Sequence, residues 1–237
     1  MAKLYIVATP IGNLKDISVR ALHILEEVDF ILCEDTRVTR KLLNYYNIKT
    51  PVESYHQHSN LKKINYIIDL LKRGKNLALV SDSGTPGISD PGCKLVSVLV
   101  NELGDKIEII SIPGPSAITA IASISGFPMD KFVFLGFPPH KKGRQRFFKN
   151  ITDFNIPVIF YESPYRLLKS LGDLRGTYTE QGGTDAEPKI VVGKELTKKF
   201  EKIYRGTISK VIDEIEKDSV KGEYVVVINN KRKINAE

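Results

Sequence analysis

The most unusual segment of this chain is the loop 81–92, SDSGTPGISDPG, in which eleven of twelve residues are Gly, Pro, Ser, Thr or Asp. Glycines let the backbone approach a bound molecule closely, and prolines fix the shape of a loop. Asp82 lies just past the apolar run 77–80 and before any helix, so we interpret its carboxylate as an acceptor of hydrogen bonds from ribose hydroxyls. Asp90 has a more ordinary interpretation, as the N-cap of a helix with Pro91 at its first position.

The motifs that the sequence lacks argue against nucleotide hydrolysis and nicotinamide chemistry. Gly84, Gly87 and Gly92 match neither the dinucleotide pattern GxGxxG nor the phosphate loop GxxxxGK[ST], and the motifs HExxH and GxSxG do not occur. The four His and two Cys are not at ligand spacing, which predicts no metal site. Methyl transfer from a sulfonium suits what remains, because it needs in-line positioning and a neutralised acceptor rather than a metal.

An alternation of strands and helices must position this loop. Apolar runs predict strands at 4–8, 30–33, 77–80 and 107–112, and amphipathic patterns predict helices at 18–28, 36–46, 60–73 and 90–104. Such alternation is typical of an α/β fold with a mostly parallel sheet, which binds ligands at the carboxyl ends of its strands.

The segment IPGPS at 112–116 indicates a domain boundary, so we predict an N-terminal α/β domain at 1–113 and a C-terminal α/β domain at 114–237. The second domain is predicted to contain a mixed sheet, with strands at 132–137, 157–161, 190–192, 201–204 and 224–228 and helices at 117–125, 164–171 and 208–216. The polar, Gly-rich segment 172–188 predicts an exposed loop.

The composition is that of an ordinary soluble protein, with 42% hydrophobic and 27% charged residues among 237. No apolar run reaches the roughly 20 residues of a membrane span, and the apolar N-terminal stretch is too short for a signal peptide. We therefore expect a cytoplasmic protein without a membrane partner. The net charge of +7 permits a polyanionic partner without requiring one.

Several segments occur in the order known from one family: LYIVATPIGNLKDIS, CEDTRVTRKLL, LVSDSGTPGISDPG, IPGPSA, FYESPYRL, KELTKKFE and GEYVVVI. Together they resemble the ribosomal RNA small subunit methyltransferase I family, within the tetrapyrrole methylase superfamily. The resemblance implies a class III methyltransferase fold, a homodimer of subunits with two α/β domains and S-adenosylmethionine (AdoMet) in the cleft between them. It further implies 2′-O-methylation of a cytidine in the decoding region of 16S rRNA, either as naked rRNA or in the assembled 30S subunit.

The resemblance also implies a set of cofactor contacts, which fall on Pro10, Asp82, Ser83, Gly84, Gly87, Ile88, Ser89, Ser116, Ala117, Phe160, Tyr161, Lys194 and Leu196. This chain departs from the family pattern at Tyr165, where members often carry His, and at Lys194, where Arg is usual. It also ends soon after GEYVVVI, whereas many members continue into a small helical segment, so we expect part of the family's RNA footprint to be missing.

Two basic segments are candidates for RNA binding. The cluster HKKGRQR at 140–146 supplies Lys141, Lys142, Arg144 and Arg146, and Arg37 and Arg40 share a face of the helix after the second strand. A solvated charged loop is the alternative for the cluster.

A ribose hydroxyl is a poor nucleophile, so a carboxylate base or positioning group is expected, and Asp35, Glu162 and Glu195 are the candidates. Asp35 has an alternative role at a helix N-terminus, and water is an alternative base.

Two other functions remain open at this stage. The first is methylation of a small tetrapyrrole or of a modified protein residue, which the basic cluster disfavours. The second is a non-catalytic RNA-binding ribosome factor, which the intact set of loops disfavours.

Overall fold

The computed structural model describes residues 1–56, 61–182 and 187–230. Contacts within the chain divide it into two compact units, Met1–Ser116 and Ala117–Glu237, which are described separately below. Within the described residues, no helix is long and apolar enough to cross a membrane.

The first unit contains a five-stranded sheet in the order β3-β2-β4-β1-β5. The strands are β1 (Ala2–Val7), β2 (Phe30–Cys33), β3 (Val52–Ser54), β4 (Leu77–Leu79) and β5 (Ile107–Ile112). All pairings are parallel, so the carboxyl ends of the strands meet at one edge.

Helices cover both faces of this sheet, namely α1 (Val19–Glu27), α2 (Thr36–Tyr45), α3 (Leu61–Lys72) and α4 (Gly92–Leu103). Side chains of a strand alternate between faces, and β4 shows the consequence. Leu77 and Leu79 pack with α3 and α4, whereas Ala78 and Val80 pack with α1 and α2. The near-continuous apolar runs in the sequence follow from this burial on both sides.

The second unit contains a mixed five-stranded sheet in the order β6-β7-β10-β8-β9. The strands are β6 (Val133–Phe134), β7 (Val158–Glu162), β8 (Lys189–Lys194), β9 (Lys202–Thr207) and β10 (Tyr224–Ile228). In the described part of this sheet, β6 and β7 pair in parallel and the other pairings are antiparallel.

The helices of the second unit are α5 (Ala117–Ser125), α6 (Arg144–Thr152), α7 (Leu167–Gly182) and α8 (Ile208–Glu216). Residues of α6, α7 and α8 form one core with the sheet. Helix α5 contacts β8 and β10 outside that core. Ile121 of α5 lies so close to Gly193 of β8 that a Cβ on residue 193 would be 2.9 Å from the Cδ1 atom of Ile121.

The prediction of an exposed loop at 172–188 was wrong over its first part. Helix α7 continues to Gly182, and Leu171 and Leu174 on it are fully buried. Leucines at helical spacing bury a face against the core, and this burial outweighs the low helix propensity of the intervening glycines. Residues 183–186 lie outside the described residues.

Candidate functional site

The strand order of the first unit creates a crevice between the carboxyl ends of β2 and β4. These strands are neighbours, but the chain leaves β2 toward β3 on one side and leaves β4 toward β5 on the other. Open α/β sheets bind ligands at such a switch in direction. Glu34 and Asp35 follow β2 there, and Ser81 and Asp82 follow β4. The backbone N–H of Asp35 donates to Asp82 Oδ1 over 3.0 Å, which joins the two sides.

Three loops at this edge of the sheet are tied together by hydrogen bonds. Thr9 N–H donates to Gly84 O over 2.9 Å, and Gly84 N–H donates back to Thr9 O over 3.2 Å. Thr85 Oγ1 donates to Pro115 O over 3.2 Å. Gly84 has a φ of +82°, in the left-handed region that favours glycine. The loops after β1, β4 and β5 therefore form one connected rim.

The carboxylate of Asp90 shapes the second half of loop 81–92. Its Oδ1 accepts hydrogen bonds from the N–H groups of Gly87 (2.7 Å) and Gly92 (2.8 Å). A Cβ on Gly92 would lie 2.8 Å from the nitrogen of Gly87, so glycine is required there. Helix α4 begins at Gly92, with Pro91 as its N-cap residue and no side-chain cap bond. Asp90 therefore stands one residue before the N-cap position predicted for it, while its bond to the Gly92 N–H still satisfies a backbone donor at the start of α4, as a capping side chain does.

The crevice contains carboxylates whose proton affinities differ from their ordinary values. Burial, together with the nearby charges of Asp90 and Asp82, raises the pKa of Glu34 to about 7. Partial burial of its carboxyl group also raises the pKa of Asp82, although the residue as a whole is exposed. Among the described residues, the Glu34 carboxylate has no hydrogen-bond or ion-pair partner. Glu34 was not among the carboxylates predicted as bases, although its place directly after β2 was a usable signal.

The surroundings of Asp35 lower its pKa, in contrast to those of Glu34. Its side chain accepts the N–H of Arg37 as the N-cap of α2, and the Arg37 guanidinium binds both carboxylate oxygens. These bonds from Arg37 lower the pKa of Asp35 to about 2. A carboxylate held in this state has little tendency to accept a proton.

The other two carboxylates predicted as bases lie in the second unit, and both are engaged in structural bonds. Glu162 is buried, and its two oxygens accept from Arg166 (2.7 Å) and from Ser170 Oγ. Glu195 Oε1 accepts from Lys198 Nζ over 2.9 Å and from the N–H of Glu223 over 2.8 Å. Burial raises the pKa of Glu195, but these two bonds and the positive charges of Lys198 and Lys194 together leave the pKa lowered.

Arg144 lies inside the second unit rather than on its surface. It is 6% exposed, and its guanidinium donates to Asp173 (2.7 Å), to Ser170 Oγ (2.8 Å) and to Pro139 O (3.3 Å). An arginine whose donors are satisfied inside the fold does not present them to a phosphate. The interpretation of Arg144 as an RNA ligand is therefore corrected.

The remaining cations predicted to bind RNA are exposed: Lys141, Lys142, Arg146, Arg37 and Arg40. Arg37 keeps an exposed guanidinium although it binds Asp35. For Lys141, Lys142 and Arg146, the described residues provide no ion-pair partner.

The residues predicted to hold a cofactor fall into two groups. In the first unit they lie on the connected rim or next to it, with Pro10 and Gly84 buried, Gly87 and Ser116 half-buried, and Asp82, Ser83, Ile88 and Ser89 exposed. In the second unit Ala117 begins α5 and Tyr161 is half-buried, whereas the side chains of Phe160, Lys194 and Leu196 are buried. The Lys194 ammonium donates to Ser219 O. No group of three or more His, Cys, Asp or Glu suited to a metal occurs in the described part of the chain.

A family profile described as tetrapyrrole (corrin/porphyrin) methylases matches residues 3–212. The chain belongs to this family. A protein of Thermotoga maritima named ribosomal RNA small subunit methyltransferase I is 45% identical over 231 residues, covering 98% of this chain and all of the relative. Proteins of the same name from Mycoplasmopsis pulmonis and Synechocystis are 44% and 43% identical, each covering 96% of this chain and 97% and 79% of their own lengths. By these relatives the chain is a methyltransferase of the ribosomal RNA small subunit methyltransferase I family.

Solved structures of tetrapyrrole methylases share the fold. A cobalt precorrin-4 methyltransferase superposes with a TM-score of 0.68 at 19% identity, covering 95% of this chain and 94% of the other. A uroporphyrin-III-C-methyltransferase from Thermus thermophilus gives a TM-score of 0.62 at 16% identity, covering 98% and 96%. The predicted α/β class with two sheets of the methylase type is thereby confirmed.

The burial of Arg144 predicts a contrast with its exposed neighbour Arg146. Arg144→Ala removes one of the arginines near buried Glu162 and should lower the free energy of unfolding by about 3–5 kcal/mol. Arg146→Ala should change it by less than about 0.5 kcal/mol. Urea unfolding of both variants provides the measurement, and equal effects would contradict the structural role of Arg144.

Proposed function

We propose that this protein is an AdoMet-dependent methyltransferase that methylates the ribose 2′-hydroxyl of a cytidine in the decoding region of 16S rRNA, in the 30S subunit. The observation that carries the proposal is full-length similarity, at 45% identity, to a protein named for methylation of small-subunit ribosomal RNA. The exposed basic cluster supports a polyanionic substrate over a small tetrapyrrole. The resemblance further leads us to propose a homodimer that acts in the cytoplasm.

The residues of the crevice fit the chemistry of AdoMet, which carries a cationic sulfonium and a ribose. Among the described residues, Oδ2 of Asp82 has no hydrogen-bond partner, so it is available to accept from ribose hydroxyls. The exposed residues Ser83 and Ser89 offer further polar groups, and the carboxylates of Glu34 and Asp82 provide negative potential for a cation. When bound, AdoMet supplies the methyl group for transfer.

Glu34 replaces Asp35, Glu162 and Glu195 as our candidate for the general base. A base works best when its pKa lies near the working pH, and Glu34 has a pKa of about 7 with no competing partner among the described residues. In its ionised form it would accept the proton of the 2′-hydroxyl as that oxygen attacks. Asp35 instead caps the start of α2, the helix that carries the exposed Arg37 and Arg40.

The exposed cations would bind the rRNA backbone. Lys141, Lys142 and Arg146 form one group in the second unit, and Arg37 and Arg40 form another in the first. Phosphate contacts by such residues position RNA without reading its sequence. The identity of the methylated nucleotide must then depend on other contacts.

The substrate class is tested with labelled AdoMet. Incubation with 30S subunits isolated from cells lacking the protein should transfer label to a single ribose 2′-oxygen in the decoding region, located by mass spectrometry of 16S rRNA. Precorrins and naked 16S rRNA serve as comparison substrates. Labelling of a precorrin instead of rRNA would contradict the proposal and favour the small-substrate alternative. Failure to bind AdoMet would favour a non-catalytic ribosome factor.

Asp82→Ala should weaken AdoMet binding. Loss of a hydrogen bond to a charged group is worth about 1.5–3 kcal/mol, or roughly 10- to 150-fold in affinity. Calorimetric titration with AdoMet measures it. Asp82→Asn is the control, because it keeps an oxygen for the Asp35 N–H but loses the charge. Unchanged affinity in Asp82→Ala would remove this residue from the cofactor site.

Glu34→Gln should lower the methylation rate by about 10²–10⁴ with AdoMet affinity nearly intact. In the wild type kcat/KM for AdoMet should rise with pH and level off above about 7, since this ratio reports the free enzyme and the base must be ionised. The variant should lose that rise. Asp35→Asn is the matched comparison, because a pKa of about 2 leaves Asp35 ionised throughout. If Asp35→Asn abolishes the rise and Glu34→Gln retains it, the assignment is reversed.

A further inference from the structure

A buried carboxylate at the end of β7 is the centre of an ionic network in the second unit. Glu162 is 1% exposed. Its Oε1 accepts from the N–H of Ser163 and from Arg166, each over 2.7 Å. Its Oε2 accepts from Ser170 Oγ and lies 3.9 Å from Arg144. One carboxylate is therefore flanked by two guanidinium groups.

Each of these arginines reaches beyond Glu162 to a backbone carbonyl. Arg166 donates to Pro138 O over 3.1 Å, and Arg144 donates to Pro139 O over 3.3 Å. A guanidinium suits this task, because its fixed fork of donors can bind a carboxylate and a carbonyl at the same time. The buried charge of Glu162 is thereby linked to two consecutive residues of the chain.

Those two residues begin the basic loop. Proline has no N–H, so the carbonyls of Pro138 and Pro139 are the backbone polar groups by which this segment can be held. The chain continues through exposed Lys141 and Lys142 to Gly143, whose φ of +85° allows the turn into α6. The network thus fixes the position from which the lysines project.

The charges within the network balance, so it adds little to the attraction of RNA. Glu162 and Asp173 offset Arg144 and Arg166. Any effect of the network on RNA binding must therefore come from geometry. Replacing a complete buried ion network by apolar residues is often neutral for stability, so stability alone is a weak reason for these groups.

We propose that Glu162 and Arg166 are positioning residues for RNA binding, which hold Pro138 and Pro139 so that Lys141 and Lys142 meet the rRNA backbone in a fixed arrangement. This inference rests on the proposed function. It gives Glu162 a role different from that of a catalytic base.

The attachment of Pro138 and Pro139 to the Glu162 network can be tested without RNA. Arg166→Gln removes the charge and the forked donors that bind Glu162 and Pro138 O. Trypsin should then cleave after Lys141 and Lys142 about tenfold faster than in the wild type, as measured by mass spectrometry of the fragments. Arg175→Gln is the matched control, because it changes an exposed arginine of α7 that bonds Ser209 instead of the loop. Equal cleavage rates in Arg166→Gln and Arg175→Gln would overturn the anchoring.

The role in RNA binding is tested by a double-mutant cycle. Arg166→Gln should raise KM for 30S subunits about tenfold, with kcat within twofold and AdoMet affinity unchanged. In a background of Lys141→Ala and Lys142→Ala, adding Arg166→Gln should have little further effect, because the residue acts through those lysines. Glu162→Gln should show the same dependence on the background.

The outcomes of this cycle separate the two proposals. Effects of Arg166→Gln that are equal in both backgrounds would overturn the positioning role while leaving rRNA methylation intact. A wild-type protein that neither binds nor methylates 30S subunits would overturn the proposed function and the role of the loop with it.

Discussion

The paired hydrogen bonds between Thr9 and Gly84 are the constraint on which the rest of the candidate site depends. A parallel sheet brings the carboxyl ends of its strands to one edge, but it does not by itself hold the loops that follow. Here the loop after β4 is bonded to the loop after β1, and the bond from Asp35 N–H to Asp82 joins it to the end of β2. A preformed rim loses less conformational entropy when a ligand binds, which favours affinity.

Local environment, rather than residue type, separates the roles of the carboxylates. Asp35 and Glu34 are neighbours in sequence, yet one is held ionised by Arg37 and the other is pushed toward its neutral form by burial and by Asp82 and Asp90. Glu162 is a third case, in which two arginines and two serines satisfy a fully buried charge. Proximity to a strand end identifies candidates, and only the surrounding groups decide which of them can accept a proton.

The sequence predicted the fold well where a periodic pattern was long. The strands and helices of the first unit are visible in apolar runs and caps, because burial on both faces leaves a strong signal. Helix α7 was missed beyond Leu171, since glycines obscured the spacing of its leucines. The site was predictable as a set of loops. The burial of Arg144 and the difference between Glu34 and Asp35 were not, because each depends on residues distant in sequence, such as Asp173 and Asp82.

The raised pKa of Glu34 implies a conflict between stability and function in the crevice. A folded-state pKa of about 7, above the ordinary 4.5, means that this group favours folding at low pH, and the contribution is lost as the pH rises through about 7. The protein would thus carry an unfavourable charge at the pH where the proposed base is active. A cationic ligand near Glu34, Asp82 and Asp90 would relieve this repulsion. The same interaction would lower the pKa of Glu34 and increase the ionised fraction, so that occupancy by a cationic cofactor and readiness of the base are coupled.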